Sequence, residues 1–126
     1  MKLSEKLVDM IEEAEFSIYY EDENNVDFGK FSSRGQDFHF SLNTGNNLDT
    51  FLYNIFECYQ NFDVSEEAYL WLDSSGHGKN GAPYDMLDVY KDMEECRDFI
   101  NELYSIVDAF LALNIWMIIV KSILTQ

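Results

Sequence analysis

Positive charge is what this sequence has least of. Its 126 residues hold 8 Lys and Arg against 24 Asp and Glu, a formal net charge of −16. A surface of that sign repels nucleic acid, itself a dense line of negative charge. It attracts basic proteins and speeds their association at low salt. Cysteine is scarce as well: Cys58 and Cys96 fall inside helical patterns and exclude a disulfide framework. Pro83 is the only proline, and neither a linker nor an internal repeat interrupts the chain, so one domain is expected. The opening MKLSEKLVDMIEEAEF mixes charge with apolar residues and lacks the continuous apolar core of a signal peptide, which predicts a cytoplasmic protein. The longest apolar run, AFLALNIWMIIV (109–120), falls short of the roughly 20 residues that span a bilayer. A buried or subunit-facing helix is expected there, a homodimer through 109–120 being one form of it, with no membrane contact.

Aromatics are plentiful, with ten Phe, eight Tyr and two Trp. Acidic chains that stay disordered are poor in them, so this one is expected to fold around a real core. Leu3, Leu7, Val8, Ile11 and Ala14 recur at helical spacing and predict a short helix over 4–14. FSIYY (16–20), VDFGKF (26–31) and DFHFSL (37–42) read as strands separated by the polar turns EDENN and SSRG. Asn47 is placed to cap a helix whose face is Leu48, Leu52, Ile55, Phe56 and Tyr59. Asp63 and Glu66 have capping-box spacing ahead of a short helix over 65–72, with a strand as the alternative. Beyond a glycine loop, Met86, Val89, Tyr90, Met93, Arg97, Ile100, Leu103, Tyr104 and Val107 trace one stripe of a long helix. Asp85, Asp88, Asp92, Glu95 and Glu102 are read on its opposite, solvated side. The expected fold is α+β: a three-stranded antiparallel β-meander with an N-terminal helix and three to four C-terminal helices packed on one face.

Chemistry has few footholds in these residues. Gly76, Gly78 and Gly81 spell G-x-G-x-x-G, the dinucleotide fingerprint. Asp73, Ser74 and Ser75 separate it from the preceding apolar run, and Pro83 puts the expected helix start near residue 83 or 84, after the last glycine. No alternating βαβ unit surrounds it, so a permissive connecting loop is expected and no cofactor. GHGKNGAP does hold a His and a Lys on an acidic chain, a combination suited to a partner contact. His39, Cys58, His77 and Cys96 recur every 19 residues but lack the close ligand pairs of zinc sites, so no metal is expected. G-x-S-x-G, P-loop and H-E-x-x-H motifs are all missing, and no enzyme is expected.

The acids themselves remain. Residues three and four apart on a helix lie about 5–6 Å from each other, so a row of carboxylates resembles a strand of phosphates. Asp85, Asp88, Asp92 and Glu95 are the first candidates for partner binding, with Glu66, Glu67, Asp22 and Glu23 behind them. FDVSEEAYLWLDSSGHGKNGAPYDMLDVYKDMEECRDFINELY (62–104), an acidic helix with a glycine loop, resembles the C-terminal half of small acidic proteins carried by phages and integrative elements of Gram-positive bacteria. That class includes anti-CRISPR proteins acting on the RNA-guided DNA nuclease of type II systems, and antirestriction proteins. The resemblance implies an inhibitor that binds a basic nucleic-acid groove on such a nuclease, by mimicry or by blocking guide-RNA loading. The tail FLALNIWMIIVKSILTQ departs from the charged ending of that class, which implies a dimer or an altered terminus. Composition leaves two alternatives open: an immunity or antitoxin-like protein for a cognate basic toxin, and a small enzyme with carboxylates in an aromatic cleft.

Overall fold

The computed structural model describes residues 1–79 and 85–126. Helix α1 (Glu5–Glu13) starts where Ser4 turns its hydroxyl to accept from the Leu7 amide, and it buries Leu7 and Ile11. Glu15, in the left-handed region at φ 69°, reverses the chain into the sheet. Strands β1 (Ser17–Glu21), β2 (Asn25–Phe31) and β3 (Asp37–Asn43) form an antiparallel meander in the order β1-β2-β3. Helices α2 (Leu48–Asn61), α3 (Val64–Leu70) and α4 (Met86–Leu124) follow, so three helices come after the sheet among the described residues.

Alternation in the strands fixes which face is covered. The register pairs Val26 with Leu42, Phe28 with Phe40 and Lys30 with Phe38. Side chains at every second residue share a face, so these six line the inner side. Phe28 stacks on Phe51 of α2 at 6.5 Å, and Phe16 meets Phe40 and Phe99 edge-on at 6.5 Å each. One apolar core thus joins α1, the inner sheet face and the three later helices. The outer face carries Tyr19, at the irregular register between Ile18 and Tyr20. Its ring lies over Gly29, where a Cβ would come within 2.0 Å of it. It also stacks on exposed His39 at 4.3 Å.

Several expectations shift in detail. Asn47 caps α2, its side chain accepting from the Thr50 amide. Phe51 rather than Phe56 enters the core from that helix, and Phe56 is exposed. Phe51 lies three residues after Leu48 and four before Ile55, the tighter helical stripe. Residues 64–70 are helical, capped by Asp63, so the strand alternative is set aside. The long helix starts at Met86, later than residue 83 or 84, because the extended Asp85 accepts from the Asp88 amide at 2.8 Å and is its N-cap. Gly81, Pro83 and Tyr84, with the rest of 80–84, lie outside the described residues.

Candidate partner-binding surfaces

The β2–β3 turn decides what the first-choice acids do. Ser32 closes it: its amide donates to the Gln36 carbonyl at 2.8 Å, and its Oγ accepts from the Gln36 amide at 3.0 Å. Gly35 adopts φ +86° to complete the reversal. Asp88, Asp92 and Glu95, at i, i+4 and i+7, form one line of α4, and that line faces this turn. Glu95 accepts from the Ser33 amide at 2.8 Å and from the Ser33 hydroxyl at 2.7 Å. Arg34 reaches Glu95 at 3.8 Å and Asp88 at 3.9 Å. Farther along, Glu102 pairs at 3.0 Å with Lys30, whose ammonium also donates to the Ala14 carbonyl at 2.8 Å. Asp88, Glu95 and Glu102 thus tie α4 to the hairpin.

Asp92 is the plain correction: it is fully buried and presents nothing to a partner. Neither carboxylate oxygen meets a hydrogen-bond donor of good geometry among the described residues. Burial pushes its carboxyl above the ordinary range, aided by Glu95 and opposed by Ser32 and Arg34. Taking a carboxylate's charge out of water costs on the order of several kcal/mol, which is why burial raises the group. Gln36 is buried too, and its Nε2 donor likewise meets no acceptor. The buried arc of α4 is rotated toward Asp92, Cys96 and Phe99, leaving Met86 and Tyr90 exposed. An aspartate counts as polar in any periodicity, so this rotation was hidden in the sequence.

The other candidates divide by local role. Asp22 organises the β1–β2 turn, accepting from the Asn24 and Asn25 amides at 2.8 Å each. The Asn24 amide, then that of Asn25, holds its carboxyl below the usual range. Glu23 beside it is exposed. This turn lies at the opposite end of the sheet from the Ser32 turn, since β2 runs between them. Glu66 is exposed on α3, while half-buried Glu67 is raised chiefly by burial. The eight acids therefore do not form one face.

A surface outside those eight fits the purpose better. On α1, Glu5, Asp9, Glu12 and Glu13 are exposed, and none has an ion pair among the described residues. Glu5–Asp9 and Asp9–Glu13 are four apart and Asp9–Glu12 three apart, close enough to sum their fields. Lys6 is the one cation on that helix. The signal was the amphipathic pattern itself: Leu7 and Ile11 commit the opposite side to the core.

Few other features gather chemistry. His39 is on the outer sheet face, Cys58 and Cys96 are on α2 and α4, and no group of three metal-binding side chains forms among the described residues. Burial pushes the thiols of both cysteines upward. In the glycine loop, Asp73 accepts from the Ser75 hydroxyl at 2.7 Å, the Ser75 amide at 2.8 Å and the His77 amide at 3.0 Å. The Ser75 hydroxyl above all keeps its carboxyl low. An aromatic groove of about 230 Å³ between α2 and α4 is lined by Phe56, Tyr59, Gln60, Asn101 and Tyr104, and an adjoining one that shares Phe56 and Tyr104 is lined in part by Asp49. Compared with protein-family models, with curated proteins and with solved structures, the chain matches none.

Proposed function

We propose that this protein is a stoichiometric inhibitor of a nucleic-acid-binding bacterial defence nuclease, docking acidic surfaces into its basic groove. One observation carries the reading: α1 turns Glu5, Asp9, Glu12 and Glu13 to solvent with no ion pair among the described residues, on a domain of net charge −16. A face that is merely solvated usually mixes signs. Carboxylates repeating every turn match the phosphates that a basic groove is built to hold, and the long-range field brings the partners together quickly. Exposed Glu23 and Glu66 extend the field, whereas Asp88, Asp92 and Glu95 contribute through the fold.

The test is DNA cleavage by a type II RNA-guided nuclease, with the protein added before or after the guide RNA. Inhibition in both orders is the outcome for occupation of the DNA groove. Inhibition only before loading is the outcome for competition with the guide. Reversing Glu5, Asp9, Glu12 and Glu13 to Lys adds two charges at each of four positions and takes −16 to −8. It should weaken inhibition about tenfold or more, the equivalent of roughly 1.4 kcal/mol, with circular dichroism unchanged. Full activity of the nuclease at large excess of inhibitor overturns the target, and retained potency of the reversed variant overturns the surface.

A further inference from the structure

Helix α4 outruns the body it packs on. Its last buried residue is Phe110, yet it continues to Leu124. Every residue after Phe110 is half-exposed or exposed, including Trp116 at 60%, Ile118 at 68% and Leu124 at 78%. The division into an apolar and a polar side is lost at this point. In the packed half, Cys96, Leu103 and Phe110 face the core, while Asp98, Asn101, Ser105 and Asp108 face solvent. At about 100° per residue, the core-facing side continues through Asn114, Met117, Lys121 and Leu124, so its only polar residues are Asn114 and Lys121. The solvent line continues through Ala112, Ile115, Ile119 and Ile123. Leu111, Leu113, Trp116 and Ile118 fill the flanks, so the apolar arc is roughly 260° wide.

That width selects the occupant. A second helix covers a stripe on the order of 100°, so a dimer leaves more than half of this arc in water. Acyl chains surround a helix and cover all of it. We infer that the segment of α4 beyond Asp108 inserts into a lipid bilayer. Residues 109–120 carry no charge, and Lys121 can extend its ammonium toward the headgroups. From 109 to 124 the helix is about 24 Å long at 1.5 Å per residue, against a hydrocarbon core of about 30 Å. That length buries the apolar run in the hydrocarbon, and α4 as a whole is long and apolar enough to cross it. The absence of membrane contact was expected from the length of 109–120 alone, without the extension to Leu124. A body of −16 with Asp108 at the junction favours uncharged headgroups over anionic ones.

Flotation of the full chain with phosphatidylcholine vesicles tests this, with acyl-brominated lipid to quench tryptophan. The protein should float, and its emission should be quenched. Mixing phosphatidylglycerol into the vesicles should weaken binding at low salt and restore it at high salt. Ile115→Lys with Ile119→Lys should lower partitioning about tenfold or more while leaving circular dichroism unchanged, because neither residue packs in the core. A protein that stays unfloated and unquenched overturns the inference. So does a dimer in sedimentation equilibrium that the same double variant dissolves, which would assign the segment to a second copy. Neither result bears on nuclease inhibition.

Discussion

Asp92 shows how one carboxyl can sit in a core with no hydrogen-bond donor of good geometry among the described residues. Its folded carboxyl is raised by burial, so the native state binds the proton more readily than the unfolded chain does. Stability from a raised group is complete below the unfolded value near 4 and is lost as pH rises through the folded value. Asp92→Asn removes that dependence. At pH 7 the variant should be more stable than the parent by about 1–3 kcal/mol, and the gap should close as pH falls toward 4. Urea midpoints of both proteins across that range check it. A parent that is equally stable at pH 7, or a gap that widens in acid, would overturn the account. The same residue marks a limit of sequence reading: its helical phase with Asp88 and Glu95 was legible, but which way that line faced was not.

At the scale of elements, the β2–β3 hairpin and α4 hold each other through polar contacts at the edge of an aromatic core. Lys30 is 13% exposed in its side chain, between the rings of Phe16 and Phe99 at 4.7 and 5.1 Å from its ammonium. It pairs with Glu102, which is 41% exposed. Lys30→Met keeps the stem but leaves the Ala14 carbonyl without this donor, so a loss of about 1–3 kcal/mol in chemical denaturation is expected. Glu102→Gln, at the wetter end, should cost about 1 kcal/mol or less. Equal losses would mean that the ion pair, not the buried ammonium, sets the effect. Strand order, the caps at Asn47 and Asp63 and the amphipathic α1 were all readable, because each depends on neighbours within a few residues. The exchange of Phe56 for Phe51 and the start of α4 at Met86 depended on what α2 packs against and on the cap at Asp85.

For the whole molecule, charge dominates. Sixteen net negative charges repel one another in the compact state, and salt shortens the range of that repulsion from about 30 Å at 0.01 M to about 3 Å at 1 M. The thermal midpoint should rise by several degrees, roughly, over that range, as scanning calorimetry would record. Affinity for a basic partner should fall over the same range. A midpoint that drops with salt would mean that attractive pairs such as Lys30–Glu102 outweigh the repulsion.

The sequence by itself determined the α+β meander, the sign of the surface, the amphipathic first helix and the apolar run after Asp108. Periodicity and composition are properties of neighbours and sums, and need no third dimension. Only the tertiary structure decided that Asp88 and Glu95 bind the hairpin, that Asp92 is buried and that the acids of α1 face solvent. It also decided that α4 leaves the body after Phe110. A helix's phase says which residues share a line, but the packing of other elements decides which line meets water.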